Sequence, residues 1–157
     1  MRVTHLLTRR YLIGLGIGAI VTVIDLLTKR YAALNFAGSP VEVIPGFFGF
    51  TFVENPGGAF GMFQNGGVVI GVAAIIVTVV VLYALATARP TMETVSLGFV
   101  VGGAFGNLID RFARGPGIID GPVIDWIELW FIPTFNIADA SVTVAVAMLL
   151  IHAWWSR

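Results

Sequence analysis

The sequence predicts an all-α membrane protein: four transmembrane helices with a small extracytoplasmic β-hairpin or sheet. Three observations predict it. The 157 residues are 57% hydrophobic and only 11% charged, whereas a soluble domain carries about 25% charge. Mean hydropathy is +0.92. Four stretches approach the roughly 20 apolar residues that cross a hydrocarbon core of about 30 Å. One domain, residues 1–157, is expected.

The first span runs from about residue 11 to 34 and carries Ile13, Leu15, Ile20, Val21 and Ile24. The second, about 68–86, has no charge. The third covers about 94–112 and the fourth about 137–155. Thr8-Arg9-Arg10-Tyr11-Leu12 before an apolar run also fits a twin-arginine export signal. Three further spans favour a retained first helix. Arg2, Arg9, Arg10, Arg89 and Arg157 all fall on one side of such a bundle, and the positive-inside rule makes that side cytoplasmic. Both termini are then cytoplasmic. Trp126 and Trp130 outside, with Trp154 and Trp155 inside, form an interfacial belt.

Composition narrows the chemistry. The chain has no cysteine, which removes thiol catalysis, disulfides and thiolate metal sites. His5 and His152 lie near opposite termini, so neither a Ser-His-Asp triad nor a His-rich metal centre is expected. Nine basic and nine acidic residues leave no net charge to attract nucleic acid. No cofactor or metal is called for. Carboxylates are the leading candidates for hydrolytic chemistry.

Two outer segments join the spans. In residues 36–66, Val41, Val43, Phe48, Phe50 and Phe52 alternate with Glu42, Gly49 and Thr51 around Pro45-Gly46. That pattern reads as a hairpin or small sheet on the membrane surface. Asn55-Pro56-Gly57-Gly58-Ala59-Phe60-Gly61 follows, either a plain glycine-rich turn or a backbone open to a ligand. In residues 113–136, Gly115-Pro116-Gly117 and Gly121-Pro122 are turns. Asp125 to Trp130 fits a strand or a short helix equally well.

The acids gather at one depth. Asp25 is late in the first span, Asp110 late in the third and Asp139 early in the fourth. An up-down-up-down bundle brings all three to the outer face, beside Asp125. Ionisable groups at membrane depth are costly and by default mark function. Gly98, Gly102, Gly106 and Asp110 form one stripe on the third span, and Gly14 and Gly18 offer a similar ridge on the first. Charge pairing that closes the bundle explains Asp25 with Lys29, and Asp110 with Arg111. Arg111 is alternatively a ligand for a substrate oxygen. Asp125 and Asp139 have no basic residue within four positions. The first fits a solvated loop acid, and the second a helix-start acid favoured by the dipole. If they meet, one must hold a proton, and the pair can then activate water and protonate a carbonyl.

Taken in order, these motifs resemble those of the lipoprotein signal peptidases (signal peptidase II), aspartic proteases of bacterial membranes. The motifs are Asp25-Leu26-Leu27-Thr28-Lys29, Asn55-Pro56-Gly57-Gly58-Ala59-Phe60, Gly103 to Arg111, Gly121-Pro122-Val123-Ile124-Asp125-Trp126 and Phe135-Asn136-Ile137-Ala138-Asp139. The resemblance implies Asp125 and Asp139 as the catalytic dyad. It implies that Asn55, Asn107, Asn136 and Arg111 orient substrate or dyad, and that Asp25, Lys29 and Asp110 support the site. The implied substrate is a diacylglyceryl-modified prolipoprotein cut before its lipidated cysteine. The implied location is the bacterial cytoplasmic membrane, with the active site at its outer face, membrane lipid as neighbour and a monomeric enzyme. Gly58 stands where the family has alanine, and Trp126 where it has phenylalanine. Three rival readings stand beside this one: a Ser-Lys peptidase built from Ser141 and Lys29, a proton or ion conductor, and a non-enzymatic assembly subunit.

Overall fold

A computed structural model describes residues 2–57, 67–87 and 91–156, with side chains from Arg9 onward. Gly58 to Gly61 of the glycine-rich motif, Arg89 and Arg157 lie outside the described residues. Four helices are long and apolar enough to cross a membrane. Helix α1 is Arg2–Asn35, α2 Gly67–Thr87, α3 Thr91–Ala113 and α4 Ile137–Trp155. The expected spans fall inside these helices, and α1 extends nine residues before the apolar stretch begins at Tyr11.

Four strands cap one end of the bundle. They are β1 (Val41–Ile44), β2 (Phe48–Asn55), β3 (Val123–Leu129) and β4 (Ile132–Phe135). All pair antiparallel in the order β1-β2-β3-β4. The Pro45-Gly46 turn forms as expected, with Gly46 at φ 65°, a region that favours glycine. The ambiguous Asp125–Trp130 segment is resolved as strand, apart from the turn residue Trp130. The two outer segments are one sheet, because β2 pairs with β3 across both intervening helices (Val53 with Asp125, Asn55 with Val123). Phe36 at the end of α1 stacks on Phe50 at 5.5 Å, and Phe50 meets Trp126 at 5.6 Å. This aromatic row fastens the sheet to the bundle.

Helix α3 is central and touches the other three. Its glycine stripe lies against the Gly14 and Gly18 ridge on α1. A Cβ added at Gly98 would lie 2.8 Å from the Gly14 carbonyl oxygen. One added at Gly102 would lie 2.5 Å from Val21 Cβ and 2.7 Å from the Gly18 oxygen. The gap is closed further by Thr22 Oγ1, which donates to the Gly102 carbonyl at 3.0 Å. Small residues allow this approach, which in lipid depends on packing rather than on hydrophobic burial. Gly102→Val is therefore expected to force α1 and α3 apart, costing about 1–3 kcal/mol or more. A thermal unfolding scan in detergent checks it. An unchanged midpoint would show that the two helices do not depend on this contact.

On α1 the buried positions are Gly14, Gly18, Val21, Asp25, Lys29 and Ala32, spaced by three and four. They form a single stripe, with Gly14 against Leu85 of α2, Gly18 and Val21 against α3, and Asp25 between α3 and α4. The stripe turns from glycine to charge as it nears the sheet, and this places the polar site at that end.

Candidate functional site

Helices α1 and α3 end at the sheet end of the bundle, and α4 begins there. Their acids meet as the depth reading predicts. The Lys29 ammonium lies 2.7 Å from Asp25 Oδ2 and 2.8 Å from Asp110 Oδ2, all three side chains being buried. Its Nζ also donates to Asn107 Oδ1 at 2.8 Å. The ammonium thus has three oxygens within 2.8 Å, two of them carboxylate. Asp25 Oδ1 accepts from the Ala138 backbone N–H at 2.8 Å, so it fixes the first turn of α4. Asp110 Oδ2 accepts from the Ile124 N–H at 3.3 Å, which ties β3 to the same cluster.

The expected Asp110–Arg111 pair is replaced by another. Adjacent helix positions point in different directions, whereas positions four apart are neighbours. Arg114, one turn on, donates to Asp110 Oδ1 at 2.7 Å. Arg111 Nη1 instead donates to the Gly121 carbonyl at 3.3 Å and the side chain borders the cavity described below. The i,i+4 spacing of Asp110 and Arg114 was visible in the sequence.

Asp125 projects from β3, and Asp139 sits in the first turn of α4. Both line one cavity of about 680 Å³, with Asn55, Asn107 and Arg111. Asp125 is buried, with 3% of its surface exposed, and is therefore not the solvated loop acid that the local sequence also allowed. Its Oδ2 accepts from Asn55 Nδ2 at 2.8 Å and its Oδ1 from Asn136 Nδ2 at 2.7 Å. Asp139 Oδ1 accepts from Asn107 Nδ2 at 2.9 Å, and Oδ2 from the Asn136 backbone N–H at 3.3 Å.

Asn136 joins the two acids. It is the N-cap of α4, its Oδ1 accepting from the Asp139 N–H at 2.9 Å in a capping box completed by the Asp139 side chain. Such a box satisfies helix donors that otherwise lack partners. The helix-start reading of Asp139 is thus correct, and the same residue faces the cavity. Asn136 Nδ2 also reaches the Ile124 carbonyl at 3.2 Å and Asn107 Oδ1 at 3.3 Å. Its two protons are shared among three acceptors.

Burial pushes the Asp125 carboxyl up to about 6 from its ordinary 3.8. Hydrogen bonds from Asn55 and Asn136 and the Lys29 charge oppose that rise, and the negative charge of Asp139 adds to it. Because the folded state raises this value, its contribution to stability is full below pH 3.8 and is lost as pH climbs through about 6. The span corresponds to about 3 kcal/mol. Asp139→Asn removes the neighbouring negative charge and is expected to lower the Asp125 titration, while Asn55→Ala is expected to raise it. Carbon NMR titration of labelled aspartate Cγ reads both. A shift of either sign opposite to these would show that other groups control Asp125.

Lys29 and Ser141 do not form a serine–lysine pair. Ser141 Oγ donates to the Ala138 carbonyl at 2.7 Å and also reaches the Phe99 carbonyl at 3.2 Å. Lys29 instead lies against Asp25, Asp110 and Asn107.

The sequence points to Asn55, Asn107, Arg111, Asp125 and Asp139 in the cavity, but not to Thr134, Thr143 or the apolar wall. Ile132, Pro133, Val142 and Val144 come from β4 and α4 and carry no motif, and Phe135 enters one only as its first letter. Only their packing identifies them.

Fold and site together define a helical membrane protein with a carboxylate–amide cavity beneath a sheet at one end of its bundle. A solved bacterial membrane enzyme shares this architecture, with a TM-score of 0.78 and 28% identity over 90% of this chain and 87% of that one. The family model for signal peptidase (SPase) II matches residues 17–155. The lipoprotein signal peptidase of Symbiobacterium thermophilum is 39% identical over 144 residues, covering 90% of this chain and 93% of that protein. The lipoprotein signal peptidase of Rhodococcus jostii is 36% identical over 150 residues, covering 95% and 74%. The chain belongs to the signal peptidase II family and is a membrane peptidase.

Proposed function

We propose that the chain is an aspartic endopeptidase that removes signal peptides from diacylglyceryl-modified prolipoproteins, cutting before the lipidated cysteine. The observation that carries this reading is that Asp125 and Asp139 line one cavity, bridged by Asn136. Burial raises the Asp125 carboxyl above its ordinary range, so of the two it holds a proton the more readily and is assigned the acid. The base role then falls to Asp139, its partner in the cavity.

The reaction balances with these two groups and one water. Asp139 takes a proton from water as the oxygen attacks the scissile carbonyl carbon. Asp125 gives its proton to the carbonyl oxygen, forming a neutral diol. Asp139 then passes its proton to the amide nitrogen as the carbon–nitrogen bond breaks. Asp125 recovers a proton from a diol hydroxyl. A new carboxyl group leaves on the signal peptide and an amine on the cysteine. Each step is general acid or base catalysis. Because the two groups are coupled, the pH profile reports values of the pair.

The substrate's lipid would sit in the bilayer, which suits a site at the end of a bundle of spans. The N-terminal arginines support cytoplasmic termini and an outer active face. Clustering of the aspartates at one end, with no acid in α2, disfavours a conducting path across the membrane. The direct test is cleavage of a synthetic diacylglyceryl lipopeptide by the purified protein, with mass spectrometry of both products. Cleavage at another bond, or of the unlipidated peptide equally well, would overturn the substrate assignment.

A further inference from the structure

We infer that the substrate's main chain is held as an added fifth strand on the free edge of β4. This rests on the peptidase reading above and specifies how the peptide lies in the site. Strand β4 is the last in the order β1-β2-β3-β4, and among the described residues it pairs only with β3. All four of its residues, Ile132 to Phe135, border the cavity that contains Asp125 and Asp139. Side chains alternate between the faces of a strand, so a cavity over one face would meet every second residue. Contact with four in succession means that the cavity runs along the edge. Pro133 lies in this strand, and proline is confined to edges because it has no N–H to give a ladder.

Four residues expose about 13 Å of edge. That is enough for an extended segment of similar length. Unpaired main-chain groups on an edge are a template for a further strand, giving affinity through main-chain hydrogen bonds independently of side chains. The occupant is a peptide because the carboxylates in the same cavity act on one. An extended chain also exposes its scissile carbonyl, which a helical signal peptide keeps within its own hydrogen bonds. Strand addition would therefore unwind the cleavage region while the adjoining apolar segment stays helical in lipid.

The test is an ester scan of a cleavable diacylglyceryl lipopeptide, using the full-length protein. Replacing one non-scissile amide by an ester removes one N–H without added bulk. A strand partner uses the N–H groups of alternate residues. The expected result is a KM rise of roughly threefold to tenfold at every second position near the cleavage bond, with little change between. Isotope-edited infrared spectra of a labelled peptide carbonyl bound to the Asp139→Asn protein should show a strand-like amide band. Cleavage of the parent lipopeptide with no alternation, and a helical band on binding, would overturn strand addition while leaving the peptidase reading intact. Failure to cleave the parent lipopeptide would overturn both.

Discussion

Asp125→Asn and Asp139→Asn should each reduce cleavage of a lipidated precursor by about a thousandfold or more, while the protein still inserts in the membrane. Asparagine keeps the size of each side chain and removes its ability to exchange a proton. Losing either acid stops the same cycle, so the double variant should be no slower than the worse single one. Glu128→Gln and Asp120→Asn supply the contrast. Glu128 is exposed and borders a second cavity with Glu42. Asp120 accepts the Gly117 N–H at 3.0 Å within its own loop. Both variants should keep most activity. A dead Glu128→Gln protein beside an active Asp125→Asn protein would show that the dyad is assigned to the wrong acid.

Lys29→Met should produce the largest loss of stability in the molecule. It leaves Asp25 and Asp110 buried without their shared cation. Removing one member of a buried ionic group typically costs about 3–5 kcal/mol. The cost reaches three elements, since Asp25 also holds the Ala138 N–H of α4 and Asp110 the Ile124 N–H of β3. Activity should fall with it, because Lys29 orients the Asn107 amide that donates to Asp139. Lys29→Arg should not restore the protein. A planar guanidinium cannot direct donors to three oxygens that converge on one point. Unfolding in detergent, followed by circular dichroism, measures the change. A Lys29→Met protein as stable as the parent would show that Asp25 and Asp110 do not need this charge.

The two experiments separate roles that look alike on paper. Five aspartates lie near the sheet end of the bundle, and all are one residue type. Asp25 and Asp110 bind a cation, Asp120 closes a turn, and Asp125 and Asp139 face a cavity. The partners around each carboxylate make the difference. Asp25 and Asp110 meet an ammonium, whereas Asp125 and Asp139 receive only uncharged donors as direct hydrogen-bond partners.

Much of this was legible in the chain itself. The four spans follow from apolar length, because a bilayer demands about 20 apolar residues per crossing and permits few charges. The glycine stripe on α3 and its ridge on α1 follow from helical spacing. The depth of Asp25, Asp110 and Asp139 follows from their position along spans that must alternate in direction. Asn136-Ile137-Ala138-Asp139 is a capping box that four letters reveal.

Other features needed contacts that sequence distance hides. The sequence suggested two separate outer segments, but the pairing of β2 with β3 spans two helices, and no local pattern encodes a partner 70 residues away. The burial of Asp125 depends on that pairing, and with it the upward shift of its carboxyl. The choice of Arg114 over Arg111 as partner of Asp110 turned on side-chain direction. The apolar wall of β4 and α4 became a site only when packed beside the acids. Membrane crossing and helix packing are imposed by solvent and by period, both of which act residue by residue. Carboxylate chemistry is imposed by neighbours a few ångströms away, and only the folded chain decides who those neighbours are.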